Sequence, residues 1–422
     1  MKSQPLLCGT SAALLLVSFT VSAAAQSGAT RPRRVSPEAS TVQNPQPGAS
    51  PLVTTPRTNT TTTGTRATAA APATTSRPAS APAGGVGDTA RAFELLRQQQ
   101  YEAALREAKQ IAVREPNNGE AWKIAGFAEF NLKRYKEASD NLARALELQR
   151  KAGEEDANTV DALGQAYVRT EQFEQALPLL VAATTRANAK PDAVLLYYRG
   201  LAEFRTGKTA EAERSFGAAV KADPKNSASH FYLGRLAYER NESDAAINAL
   251  NRATQGDPRF AEAWTLLTYA YLRRAAAAGG TGPKADADNL SAVRASESLV
   301  KLRADEPAAA LHAQALVSAG QFPRAVLALE RFGANPNAQG QTLYLLGISY
   351  SRAKNLPKAA ATLERAAAKT PDDVNVYREL GYAYEVSRQY GKALAAYERG
   401  AQLAPGEADL KESAERVRPF AK

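Results

Sequence analysis

From residue 89 onward, apolar side chains recur at intervals of three and four, and no stretch alternates in the two-residue rhythm of a strand. The pattern predicts an all-α fold made of short amphipathic helices. From Ser27 to Asp88 the pattern vanishes into Thr, Ala, Pro, Ser and Gly with scattered Arg, and no aromatic residue interrupts it. Such a stretch buries too little apolar surface to offset the entropy of ordering it, so residues 26–88 read as a disordered leader.

The helical part repeats itself. Nine alanines mark matched positions, Ala104, Ala138, Ala176, Ala212, Ala246, Ala295, Ala325, Ala359 and Ala393, at steps of 34, 38, 36, 34, 49, 30, 34 and 34. Twelve residues earlier, six of the nine units carry glycine: Gly126, Gly164, Gly200, Gly234, Gly347 and Gly381. Four residues after the alanine stands a bulky side chain in the same six units, Leu142, Leu180, Phe216, Leu250, Leu363 and Tyr397. This spacing predicts antiparallel helical hairpins that cross closely at paired small residues, with large neighbours filling the flanks. Pro116, Pro224, Pro258, Pro371 and Pro405 stop the second helix of their units, because proline clashes with a continuing helical turn.

These residues resemble the tetratricopeptide repeat, most clearly in Leu343, Leu346, Gly347, Tyr350, Ala359, Leu363, Ala366, Pro371 and then Tyr377, Leu380, Gly381, Tyr384, Ala393, Tyr397, Pro405. The resemblance implies a right-handed α-solenoid of about nine units over residues 89–407, with residues 408–422 as a capping helix. Departures are expected at Pro178, which should kink or shorten its helix, and at 275–289, an insertion of loop character where the stack would bend or divide.

The resemblance also places a ligand groove on the first helix of each hairpin. The residues it points to are Lys123, Phe127 and Phe130; Tyr197 and Phe204; Phe231, Arg235 and Tyr238; Tyr269; Tyr344; and Arg378 and Tyr382. Asp161, Gln165, Val168, Leu201, Leu272, Ile348 and Glu385 complete the rows, and Arg169, Arg205, Arg273 and Arg352 add a recurring arginine one position further on. Aromatic rings with arginines on their edge suit a protein or peptide ligand, somewhat acidic or with an exposed C-terminus, since guanidinium forks match carboxylates. Phe127 stands where the carboxylate clamp of chaperone-tail binders would need Asn, so that specialisation is not expected.

Charge and chemistry narrow the picture further. The formal charge of +10 falls to +5 over residues 89–422, where basic and acidic residues interleave without the stripe a nucleic-acid surface needs. Lys2, the apolar stretch Ala12 to Val21 and the small residues Ala23 to Ala25 form a cleavable secretory signal over 1–25, so the protein is expected in the periplasm or the secreted space. Its apolar stretch is shorter than the about 20 residues of a membrane span. The lone cysteine, Cys8, would leave with it. His230 and His312 sit at core-facing helix positions, and Gly279 to Lys284 lacks the Gly-Lys-Ser/Thr of a phosphate loop. Asp286 and Asp288 read as a solvated helix start. No spacing specifies a cofactor, a metal, a catalytic group or an oligomeric state, and the expectation is a non-enzymatic adaptor, with accessory roles in envelope export or enzyme recruitment as alternatives.

Overall fold

The computed structural model describes residues 86–187, 190 and 192–421; the expected signal and the expected leader up to residue 85 lie outside the described residues. Helix α1 begins at Val86, so the last three residues assigned to the leader are helical. The described residues hold helices and no strand. They divide into two compact units, parting between Ser229 and His230 rather than at 275–289.

The first unit contains α1 (Val86–Arg97), α2 (Tyr101–Arg114), α3 (Gly119–Asn131), α4 (Tyr135–Ala152), α5 (Ala157–Arg169), α6 (Phe173–Thr184), α7 (Ala193–Arg205) and α8 (Thr209–Ala222). Helix α9 (Ser227–Glu239) begins there and ends in the second unit. The second unit continues with α10 (Ser243–Gly256), α11 (Ala261–Ala277), α12 (Pro283–Leu302), α13 (Glu306–Ser318), α14 (Phe322–Gly333), α15 (Gly340–Arg352), α16 (Leu356–Lys369), α17 (Val374–Val386) and α18 (Tyr390–Leu403). Helix α19 (Ala408–Val417) and a single 3-10 turn, Arg418–Phe420, cover α18. Within each unit a first helix packs on its own second helix, and that second helix on the next first helix.

Each hairpin closes at the small residues found in the sequence. Ala104, Ala138, Ala176, Ala212, Ala246, Ala325, Ala359 and Ala393 are fully buried, and Ala295 nearly so. The bulky residue sixteen positions after each glycine does not flank the crossing, as the spacing suggested, but lies on the glycine itself. A Cβ on Gly126 would stand 2.6 Å from Leu142 Cγ, one on Gly347 2.5 Å from Leu363 Cγ, and one on Gly381 2.5 Å from Tyr397 Cδ1. The glycine is needed because its missing side chain is the space that the large one fills.

The hairpin turns share a feature that the sequence conceals. Gln99, Lys133, Glu171, Asn241, Lys354 and Arg388 all adopt φ between 59° and 63°, the left-handed region, and Gly207 and Gly320 take the same place in two further turns. The following residue returns its N–H five positions back, as from Arg134 to Glu129 and from Gln389 to Tyr384, so every such first helix ends in the same six-to-one closure. Only two of these eight positions are glycine, so a search for glycine at helix ends does not find the motif.

Neighbouring hairpins are latched by polar pairs twenty residues apart. Glu330 on α14 accepts from the Tyr350 hydroxyl on α15 at 2.8 Å, and Glu364 on α16 accepts from Tyr384 on α17. At the cap Glu398 receives Arg418 at 3.1 Å in place of a tyrosine. The same register joins Asn251 to Tyr271 at 3.2 Å and Lys109 to the buried Glu129 at 2.7 Å.

Two expectations are corrected here. The insertion at 275–289 is mostly helix: α11 extends to Ala277, and α12 starts at Pro283, whose fixed φ suits a first helical position. Asp288 is not solvated but nearly buried, forked onto Arg274 at 2.6 and 2.9 Å, and Arg274 also reaches Asp244 at 2.5 Å. This network anchors the lengthened hairpin. Pro178 lies inside α6, which continues through it and stops at 12 residues, shorter than the 14 of α8.

Gly381→Ala, which drives a methyl into Tyr397, is expected to destabilise the second unit by about 1–3 kcal/mol. Gly217→Ala on α8, where nothing lies within 4 Å, is expected to stabilise the first by about 0.5–1 kcal/mol. Urea unfolding followed by circular dichroism reads both signs as shifts of the midpoint in opposite directions.

Candidate functional site on the first helices

The candidate residues occupy the first helices as expected, but the structure divides them by burial. In the first unit Tyr197 is buried, its ring 5.4 Å from Tyr198 and 6.1 Å from Phe216, which places it in the hairpin interior. Phe127 is half-buried against the core, and Phe130 meets Tyr135 edge-on at 5.4 Å. Phe204 is likewise half-buried. In the second unit Phe231 is buried between Tyr232 at 5.3 Å and Phe260 at 4.8 Å, and Tyr344 is buried as well. Burial pushes the Tyr344 phenol far above its ordinary range, with the Glu379 carboxylate acting in the same direction. Three of the expected groove aromatics are therefore packing residues.

The recurring cations are engaged with their own chain rather than left on a free edge. Arg169 donates to the Tyr198 hydroxyl at 2.7 Å and lies over the rings of Tyr135 and Tyr198 at 5.3 and 5.5 Å. Arg205 covers the Phe173 ring at 4.5 Å and faces Glu171 at 3.6 Å. Arg273 stacks on Tyr238 at 3.3 Å while donating to the Tyr238 carbonyl and to Asn241. Arg352 pairs with Glu379 at 2.9 Å and covers the Tyr382 ring at 5.0 Å. Arg378 is held by Asn375, Glu407 and Asp409, Arg235 by Glu239 at 2.9 Å, and Lys123 by Glu120 at 2.6 Å. Most of these bonds reach a neighbouring hairpin. Arg169, Arg205, Arg273 and Arg352 each shield an aromatic ring of a neighbouring hairpin while satisfying an acceptor.

Arg205 and Arg352 are exposed as well as paired, and apolar and aromatic side chains of α11 and α17 also stand open to solvent. Tyr269 on α11 is 39% exposed, and on α17 Tyr382 and Val386 are 42% and 49% exposed. Tyr382 and Val386 stand one helical turn apart, on the same stripe of α17. Val386 escaped the sequence reading, which placed Glu385 in that row; the only signal was a β-branched apolar residue at a helix end. Glu385 instead accepts from Arg416 Nε and Nη2, each at 2.9 Å, and from the Tyr397 hydroxyl at 2.8 Å, tying the cap to α17.

The two histidines lie in the core, as their spacing predicted. His312 Nδ1 meets Ser296 Oγ at 2.9 Å, and burial lowers its proton affinity. Among the described residues no three potential ligands gather around a metal position, and no helix is long and apolar enough to cross a membrane. Shallow grooves of about 680 and 710 Å³ run on either side of α6, lined by Leu177, Pro178, Val181 and Arg199 on one side and by Leu146, Tyr167, Pro178 and Ala182 on the other.

Consecutive helical hairpins, closed by small residues and latched at a fixed register, define an α-helical repeat protein. The chain belongs to the tetratricopeptide repeat family, whose signature matches residues 89–155, 162–227, 199–259, 231–280 and 344–408. Similar solved structures include a tetratricopeptide repeat protein from Parabacteroides merdae ATCC 43184, at 17% identity and TM-score 0.39 over 62% of this chain and 98% of that one. MamA from Desulfovibrio magneticus RS-1 aligns at 25% identity and TM-score 0.36 over 41% of this chain and 98% of that one. YrrB, described as a TPR protein with an unusual peptide-binding site, aligns at 24% identity and TM-score 0.36 over 42% and 87%. No curated protein matches.

The Arg416 guanidinium holds the Glu385 carboxyl below the usual carboxylate range, with the Tyr397 hydroxyl adding to the effect. A carboxyl depressed in the fold contributes stability above its unfolded pKa of about 4.3, and that contribution is lost as pH falls through the lower folded value. Acidification from about pH 5 is therefore expected to loosen α19. Amide exchange along α19 measures it: Glu385→Gln should flatten the pH dependence and bring exchange at neutral pH toward the level the wild type reaches in acid.

Proposed function

We propose that this protein is a non-catalytic interaction scaffold of the cell envelope or secreted space, holding protein or peptide partners on the first helices of its hairpins. The tetratricopeptide repeat fold is that of a protein–protein interaction scaffold. The observation that carries the finer reading is the exposure of Tyr269 and Tyr382 on first helices, where Tyr197, Phe231 and Tyr344 are packed away. An aromatic ring held at the surface pays a solvation penalty in the free protein that a partner relieves, and rigid rings of this kind dominate recognition surfaces. The secretory signal in residues 1–25 supports export, and the Pro- and Thr-rich leader would space the repeats from whatever holds the N-terminus.

Affinity capture from envelope extract tests this reading with the full chain against the double variant Tyr269→Ala, Tyr382→Ala. Both positions are exposed, so folding should be retained. A protein captured by the wild type is expected to weaken about tenfold or more in the variant, and equal capture by both would remove the first-helix face as the site.

A further inference from the structure

Resting on the reading that the first helices hold the partner, we infer that the segment bound on α17 is apolar and uncharged, and not the acidic or C-terminal segment the arginine row suggests. In the second unit Arg273, Arg352 and Arg378 all have acceptors of the chain itself, and the acceptors of Arg352 and Arg378 include carboxylates. For Arg352 to fork onto a ligand carboxylate it must leave Glu379. The second oxygen of Glu379, Oε2, is buried and already without a donor. Exchange would therefore trade one carboxylate for another and leave the mostly shielded Glu379 side chain without its cation, which offsets what the ligand gains.

The accessible chemistry on α17 is of the other kind. Tyr382 and Val386 form an apolar stripe one turn long, and the Arg352 guanidinium, 5.0 Å from the ring centroid, backs Tyr382. Arg352 is thus a positioning residue that holds the ring at the surface, its charge answered by Glu379. A face whose charges are internally neutralised and whose exposed groups are a ring and a branched aliphatic chain complements a neutral apolar segment. The Tyr382 hydroxyl is left to hydrogen-bond a ligand main-chain group.

Synthetic peptides of one length in three compositions, neutral and rich in Leu, Val and Tyr, rich in Glu and Asp with a free C-terminus, or rich in Lys and Arg, distinguish the possibilities by fluorescence anisotropy with the full chain. The neutral peptides are expected to bind best, with affinity changing less than about twofold between about 50 mM and 500 mM salt. Val386→Asp should weaken them about tenfold, while Arg352→Lys, which keeps the charge but loses the planar stack, should weaken them less. Preferential binding of the acidic or of the basic peptides, with a steep loss in salt, would overturn the inference and leave the first-helix reading standing. Binding that is unchanged by both Val386→Asp and Tyr382→Ala, or no binding in any class, would remove that reading and the inference with it. Circular dichroism of each variant confirms that loss of binding is not loss of fold.

Discussion

The arrangement depends on one steric fact, that in six of the hairpins a bulky side chain on the second helix occupies the volume a glycine leaves empty on the first. Leu142 over Gly126, Phe216 over Gly200 and Tyr397 over Gly381 are the same contact made with three different side chains. It fixes how closely the two helices approach and how they are rotated, so it also fixes which residues of the first helix turn inward. A buried alanine beside it completes the crossing. Because the contact lies within one hairpin, its effect is local and repeats wherever the spacing repeats.

Between hairpins the structure adds polar chemistry to apolar packing. The pairs twenty residues apart, Glu330 with Tyr350 and Glu398 with Arg418 among them, set the register of one hairpin on the next through the partly shielded ends of long side chains. The arginines do similar work on the first-helix side, where Arg273 covers Tyr238 and Arg352 reaches from α15 to Glu379 and Tyr382 on α17. Such contacts are weaker individually than the glycine crossing, but each satisfies groups that would otherwise be left in poorly solvated positions. The cations that look available for a ligand when the helix is drawn alone are thereby drawn into the scaffold.

That division of labour shapes what the surface can recognise. Aromatic side chains at the expected groove positions divide by burial: Tyr197, Phe231 and Tyr344 turn into the core, Phe127, Phe130, Phe204 and Tyr238 are half-buried, and Tyr269 and Tyr382 stay at the surface. On the proposed reading, with arginine charge neutralised from within, recognition on α17 would fall to shape and apolar burial. Such a surface is selective through fit and only weakly responsive to ionic strength.

By itself the sequence determined the period, the all-α class, the small residues at each crossing and the prolines that end the second helices, because these follow from local spacing and from backbone chemistry that does not depend on neighbours. Tertiary structure decided the rest. Lys133 and Arg388 take the left-handed conformation because the hairpin must close there, although neither residue favours it. Asp288 is buried because Arg274, fourteen residues away, meets it across the α11–α12 hairpin. Ile348 on α15 and Tyr382 on α17 stand at matched helix positions, yet Ile348 is buried and Tyr382 is exposed. Exposure is a property of the stack, not of the repeat, which is why a single repeat read in isolation names the face but not the residues that remain on it.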